Sequence, residues 1–564
     1  MPVPTRAIDV GDASRSPFLY ITKGKAGCWT ALSYCWGDDS TPKDRLTKDT
    51  FDSLKRGRPL ADFPKTHQDA IIITRALGLK YLWIDALCIF QDLDDDWTLE
   101  ASKMSETYTN AAIVIAATAS TSVSAGVFGT RKKYLSPSLP WRLPEPERTM
   151  TSSDVGRVSD QTVRPTVHVR CIGRPWDPVM EIQDSRWASR GWTMQEHLLA
   201  SRTLSYTRDQ MHWECTTCEA LEAGPVNEQS TAGKNNATTS QELKRLFLHR
   251  SQKSGAGIDQ IPTARPYELW YHIVTRYSRR SLFSVHDRLP AIAGLAKYIQ
   301  SSTGDSYCAG LWRADLIMGL LWRSLGKKEV NAHGYIGPSW SWVSLDSDLV
   351  RWGLRNLTNI EKLARIEKVD VKPVSPEAIF GRVQEGGKLS ITAPFLYLHG
   401  IVQENVNSRR SPSKFQHFVY QVLQENVSLR RPSSKFQRFV YQVFENDEKT
   451  ESDKRPLEFI QNHKPYPGQH FAALQIIKAK EPETGEPGLE VLLLESVKPD
   501  AALSPTSPQE ILYRRIGLVA LRRANSRSLN PEARPEFFKV GPVEDAAWRE
   551  VARKKWPTKR VSII

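Results

Sequence analysis

Lys80-Tyr81-Leu82-Trp83-Ile84-Asp85-Ala86-Leu87-Cys88-Ile89-Phe90-Gln91-Asp92 is the stretch on which the reading of this chain turns. Tyr81 to Ile84 is a continuous apolar run with aromatic and β-branched side chains, the pattern of a strand buried on both faces. A carboxylate, a thiol and an amide come next at Asp85, Cys88 and Gln91. In an open parallel sheet, chemistry collects just outside the carboxyl ends of the strands. These polar groups sit where the strand should stop, so they are either a site or internal wiring.

On the N-terminal side, Asp62 reads as a helix N-cap, with Pro64 in the first turn. Thr66 to Leu77 then reads as a helix with Ala70, Ile73 and Leu77 on one face, and Gly78 as its C-cap. Earlier still, Thr30 to Asp39 is a short strand running into a Gly-Asp turn. On the C-terminal side, Asp94-Asp95-Asp96 opens a second helix, where acidic residues suit the positive end. Trp97, Ala101, Met104 and Tyr108 form one core-facing stripe, Asn110 ends the helix, and Ala112 to Ala117 is a third strand. Strand, helix, strand, helix, strand with crossovers of this length predicts parallel neighbours and a right-handed α/β layer.

Further along, 120–183 is rich in Ser, Pro and Arg and reads as a surface insertion between core blocks 28–119 and 184–215 of one domain, 1–219. Within the second block, Thr193 and Glu196 have capping-box spacing, and Thr203 to Thr207 and Met211 to Cys215 read as a strand pair. A polar linker is expected over 220–262, a helical Trp-rich segment over 263–330, a β-rich region from Pro338-Ser339-Trp340-Ser341-Trp342 within 331–548, and a basic tail over 549–564. Gln403 to Leu423 and Gln424 to Phe444 are near-identical copies. Two copies are too few for a solenoid. One copy is expected as a strand and the other as an excursion.

The 564 residues are 40% hydrophobic, enough for a sizeable core. The net charge is +14, yet residues 1–120 carry 14 Lys/Arg against 16 Asp/Glu. That balance argues against nucleic-acid binding by the first domain. Seven widely spaced cysteines suit a reducing compartment. No signal-peptide core and no apolar run of about 18 residues occurs, so the expected protein is soluble and cytoplasmic, with a basic tail that also suits nuclear import. The sequons at Asn236, Asn356 and Asn426 are then idle.

No Walker loop, dinucleotide glycine fingerprint, nucleophile elbow or zincin helix is present. Cys215-Thr216-Thr217-Cys218 is a single CxxC. With only His212 as a third donor it falls short of the four ligands of structural zinc, and it reads as two reduced, packed cysteines; no metal is expected. Cys88 lacks a base nearby in sequence and reads as a buried, inert thiol. Asp85 is either hydrogen-bonded to nearby backbone or placed for a ligand. Glu196 is either a capping residue or, beside Arg190 and Trp192, a pocket carboxylate.

Three blocks resemble the heterokaryon incompatibility (HET) domain of filamentous fungi. They are Ala31 to Gly37 (ALSYCWG), Tyr81 to Asp92 (YLWIDALCIFQD) with Tyr108-Thr109-Asn110-Ala111, and Ser189 to Glu196 (SRGWTMQE). Phe90 and His197 depart from common usage, which has Asn and Arg there. The resemblance implies an N-terminal parallel-sheet, three-layer α/β domain, similar to Toll/interleukin-1 receptor (TIR) domains. It implies a role in non-self recognition and programmed cell death after fusion of incompatible cells, through protein partners or self-association. By the TIR likeness, it also implies NAD as a substrate of a glycohydrolase, with Glu196 and Asp85 catalytic and Trp36, Ser33, Gln91 and Trp192 lining the ligand crevice. A contact-dependent effector, a NAD-consuming enzyme and a basic nucleic-acid binder are the three functions weighed.

Overall fold

The computed structural model describes residues 1–37, 44–129, 138–140, 166–168, 178–208, 210–222, 224–225, 266–324, 334–345, 349–352, 358–403, 439–444, 457–461, 471–480, 487–497, 512–522 and 558–564. They fall into two compact units. The first holds Met1–Cys88, Ala111–Ala188 and Ala200–Arg245; the second holds Ile89–Asn110, Ser189–Leu199 and Leu246–Ile564.

The first unit is built on a nine-stranded mixed sheet. Its centre is β3 (Trp29–Ser33), β4 (Tyr81–Trp83), β5 (Ile113–Ala116) and β8 (Arg202–Tyr206), in the order β8-β5-β3-β4. All three pairings among them are parallel. The strands β3, β4 and β5 are short and almost wholly buried, as the apolar run at Tyr81 requires. The sheet is not purely parallel. β1 (Arg6–Asp9) and β2 (Phe18–Ile21) extend it antiparallel beyond β4. On the other side β9 (Met211–Cys215), β10 (Glu219–Leu221) and β11 (Gly224–Pro225) extend it antiparallel beyond β8. For the sequential pairs β1–β2, β8–β9, β9–β10 and β10–β11 the reason is connection length: a few residues can only turn a strand back beside itself, whereas a parallel return needs a crossover.

The first helices of this unit are α1 (Lys48–Arg56), α2 (Lys65–Ala76) and the single turn α3 (Asp85–Cys88). Asp62 does not cap α2. It ends a short 3-10 turn, Leu60–Asp62, and Pro64 is the extended residue before the helix. The far end closes as a Schellman motif. Gly78 at φ 69° donates its N–H to Arg75 O at 2.9 Å, and Leu79 donates to Thr74 O at 3.1 Å. Ala70 and Ile73 are buried, but Leu77 is 39% exposed, so the apolar face ends before the cap. Asp69, fully buried on α2, accepts the N–H groups of Val127 and Phe128 at 2.8 and 3.2 Å, which fastens the loop after β5 onto the helix.

The second unit contains α4 (Asp94–Asn110); the chain then gives the first unit the short strands β6 (Ser138–Pro140) and β7 (Thr166–His168) and the helix α5 (Pro178–Gln183), and α6 (Thr193–Leu198) is again in the second. On α4 the expected stripe holds: Ala101, Met104 and Tyr108 are buried and Trp97 half-buried. Next come α7 (Pro266–Tyr277), α8 (Ala293–Thr303), β12 (Tyr307–Cys308), β13 (Leu311–Trp312), α9 (Leu316–Gly319), β14 (Trp322–Ser324) and β15 (Val350–Trp352). Tryptophans close this part. Trp270 and Trp342 both donate their indole N–H to Gly310 O at 2.8 Å, and Trp322 donates to Trp340 O at 3.0 Å. Gly310 is required there: it sits at φ 90°, and an added Cβ would lie 2.7 Å from the Trp342 indole nitrogen.

The chain then forms β16 (Thr358–Lys362), β17 (Arg365–Asp370), β18 (Lys388–Gln403), β19 (Phe439–Phe444), β20 (Leu457–Gln461), β21 (Phe471–Lys480), β22 (Pro487–Ser496), β23 (Leu512–Arg522) and β24 (Thr558–Ile563). These join in one mostly antiparallel sheet, with β18 paired to β17, β19, β21 and β24. β19 is the last six residues of the second repeat copy. Apart from these and Gln403, both copies lie outside the described residues, as do most of the 120–183 insertion, the 220–262 linker and the three sequons. The end of the chain, read from its charge as a tail, is a strand over Thr558–Ile563: Lys559 and Arg560 are exposed, while Val561, Ser562 and Ile563 are buried. Among the described residues no helix is long and apolar enough to cross a membrane.

Candidate functional site

β3 and β4 run side by side in the same direction, so the segments at their carboxyl ends emerge at one edge of the sheet. After β3 comes Tyr34-Cys35-Trp36-Gly37, and after β4 comes Ile84-Asp85. Trp36 and Asp85 meet there. The indole N–H donates to Asp85 Oδ2 at 2.9 Å, and Asp85 Oδ1 accepts the N–H of Ala86 at 2.7 Å. Of the two readings of Asp85, the geometry shows the hydrogen bond to nearby backbone. Arg45 adds a cation, its guanidinium carbon 5.4 Å from the centre of the Trp36 ring. Trp36, Asp85 and Arg45 are each half-buried. An aromatic face, a carboxylate and a guanidinium thus share the carboxyl edge of two parallel strands.

Backbone contacts hold this set in place. Leu46 N–H donates to Ala86 O at 2.7 Å, which carries Arg45 to the edge. Buried Arg6, on β1, donates from Nε to Cys88 O at 2.6 Å and so grips the C-terminal carbonyl of α3. A charged donor suits that end of a helix. Cys88 itself is fully buried. Behind the edge, His67 in the first turn of α2 is fully buried with its ring edge-on to Tyr34, centroids 5.1 Å apart. Among the described residues neither ring nitrogen has a hydrogen-bond partner. Burial pushes its pKa down to about 3; the Arg58 charge pushes the same way, while Asp44 opposes. Arg45, Arg6 and His67 escaped the sequence reading, because each is brought to the edge by an element distant from Asp85 in the chain.

Ser33 is fully buried and accepts the Trp187 indole N–H at 2.7 Å, in an apolar setting where Cys35, Ala116, Ile182, Trp187 and Ala188 cluster. Gln91, Trp192 and Glu196 belong to the second unit. Gln91 donates from Nε2 to Ile89 O at 2.9 Å. Trp192 donates to Asp287 Oδ2 at 3.4 Å and stands edge-on to Trp97 at 6.2 Å. Arg382 pairs with Asp287 at 2.9 Å and lies 5.2 Å over the Trp97 ring. Glu196 is 3% exposed. It does not complete a capping box: Thr193 is the first helical residue, Trp192 is the cap position, and no side chain caps α6. The Thr193 hydroxyl instead donates to Arg190 O at 2.9 Å and receives Arg280 Nη1 at 2.9 Å. Burial lowers the Arg280 pKa to about 10, helped by the Arg276 charge, and the Glu196 carboxylate pulls it back up. The buried Glu196 carboxyl thus sits in the field of a buried cation.

At the end of β9, Cys215 and Cys218 are free thiols, and among the described residues no group of three or more His, Cys, Asp and Glu side chains is arranged to hold a metal ion.

Residues 29–196 match the family described as Heterokaryon incompatibility protein (HET). No curated protein and no solved structure matches the chain significantly. The matched span starts at the first residue of β3 and stops at Glu196, so it contains the three sequence blocks and three of the four central strands. On that match the chain is a heterokaryon incompatibility (HET) domain-containing protein.

Proposed function

We propose that this protein acts in non-self recognition between fused cells, as a cytoplasmic effector of programmed cell death that works by contact with protein partners or with further copies of itself. The observation that carries the reading is the family match over residues 29–196. No complete catalytic constellation is needed for it. A second reading is favoured by one specific feature, the Trp36–Asp85 pair with Arg45 at the carboxyl edge of β3 and β4, where α/β sheets place ligands. In that reading the protein hydrolyses NAD: the Trp36 face stacks on nicotinamide, and the Asp85 carboxylate stabilises the oxocarbenium-like ribosyl centre.

One experiment separates them. The full chain is induced in cells that lack it, as wild type, Asp85→Asn and Glu196→Gln at matched protein levels, with viability and cellular NAD followed together. The contact reading expects viability to fall while NAD holds, and Glu196→Gln to kill as wild type does. A fall in NAD that wild type produces and Asp85→Asn does not would overturn it in favour of the enzyme.

A further inference from the structure

The tip of the β9–β10 hairpin is Cys215-Thr216-Thr217-Cys218, and its chemistry is separate from the sheet edge described above. The two sulfur atoms are 3.4 Å apart. The backbone bond from Cys215 N–H to Cys218 O, 2.9 Å, closes the hairpin beneath them. Cys218 N–H points at Cys215 Sγ at 3.3 Å, and the Thr217 hydroxyl lies 3.3 Å from the same sulfur. Cys215 is buried, whereas Thr217 and Cys218 are exposed. Burial pushes the Cys215 thiol up, but the Thr217 hydroxyl, the backbone N–H groups of Thr217 and Cys218 and the Cys218 thiol together outweigh it and bring the pKa down to about 6. His212 Nε2 is 2.7 Å from Glu219 Oε1, and among the described residues no group of three or more His, Cys, Asp and Glu side chains is arranged here to hold a metal ion.

We propose that Cys215 and Cys218 form a thiol–disulfide exchange site for small-molecule disulfides of the glutathione class, with exposed Cys218 as the entering nucleophile and buried Cys215 as the resolving thiol. In the first step Cys218 thiolate attacks one sulfur of the disulfide RS–SR. The S–S bond breaks, RS⁻ leaves and takes a proton from water, and Cys218 holds RS as a mixed disulfide. In the second step Cys215 thiolate attacks Cys218 Sγ, the bond to RS breaks, and the second RS⁻ leaves and is protonated. Two protein thiols are oxidised to one disulfide and one RSSR is reduced to two RSH; the two protons released by the protein thiols are those taken up. The sulfur atoms must close to about 2.05 Å, a shift of little more than 1 Å in an exposed turn. A thiolate held beside the mixed disulfide outcompetes any thiol in solution.

The test uses the reduced full chain, exposed to glutathione disulfide. Remaining thiols are alkylated, and the tryptic peptide carrying both cysteines is read by mass spectrometry, with exposed Cys28 as the control thiol. Wild type is expected to yield that peptide two hydrogens lighter and without alkyl groups, while Cys28 carries glutathione. Cys215→Ser is expected to keep glutathione on Cys218, and Cys218→Ser to slow modification of Cys215 at least tenfold. A wild-type peptide alkylated at both cysteines after Cys28 has reacted fully would overturn the proposal, as would a glutathione adduct that persists on it. Faster modification of Cys215 in Cys218→Ser than of Cys218 in Cys215→Ser would overturn the assigned order.

Discussion

Trp36 and Asp85 show what a single hydrogen bond does at the sheet edge. The indole N–H meets a carboxylate in a half-buried setting, where a bond to a charged group contributes about 1.5–3 kcal/mol. Trp36→Phe keeps an aromatic ring and removes the donor, so denaturant unfolding is expected to show a loss of about 1–3 kcal/mol. His67 gives a pH prediction. Its pKa in the folded protein, about 3, lies below the ordinary 6.5, so the folded state favours the neutral ring. Its contribution is complete above pH 6.5 and is lost as pH falls from there toward 3. His67→Leu removes that titration: stability measured between pH 7 and 4 should fall less steeply, by up to about 1.4 kcal/mol per pH unit. Of these residues Asp85 was legible as the polar stop of an apolar run, whereas Trp36 was named through the family resemblance. Arg45 and His67 were not legible. In a charged segment every side chain reads as solvated, and the pairing of Leu46 N–H with Ala86 O is what carries Arg45 to the edge.

Among the elements, those announced by two independent signals were read correctly. The α4 helix has acidic residues at its start and a four-residue stripe, and β4 has an apolar run between polar stops. The hairpin of β1 and β2 was missed, because Arg6 and Asp9 give β1 two buried charged groups in four residues and hide its strand pattern. The capping box at Thr193 misled for a related reason: a hydroxyl with cap spacing was claimed by Arg190 O and Arg280 instead. Two glycines test the packing of elements. An added Cβ at Gly78 meets nothing within 4 Å, so Gly78→Ala should cost only its left-handed backbone, about 1–2 kcal/mol by thermal or denaturant unfolding. At Gly294 on α8 the same atom would lie 2.3 Å from Ser105 Cβ and 2.7 Å from Leu199 Cδ1. Gly294→Ala therefore overpacks the contact of α8 with α4, and a larger loss, about 2–3 kcal/mol, is expected.

At the scale of the whole molecule, the family match and the compact units do not coincide. Residues 29–196 include Ile89–Asn110 and Ser189–Leu199, which belong to the second unit. There Trp192 meets Asp287, Thr193 meets Arg280, Gln195 Oε1 accepts Gly294 N–H at 3.2 Å and Trp97 lies under Arg382. A chain cut after residue 225 would keep α4 and α6 and lose all these partners. Limited proteolysis of that fragment is expected to cleave within residues 89–110 at least tenfold faster than in the full chain; equal rates would show that α4 is held without them.

The same interleaving sets a schedule for synthesis. Ser105 leaves the ribosome about 190 residues ahead of Gly294, an interval on the order of 10–40 s at ordinary elongation speeds. Throughout it the apolar stripe of α4 has no α8 to lie against, and nascent chains in that window are the ones a holding chaperone would be found on.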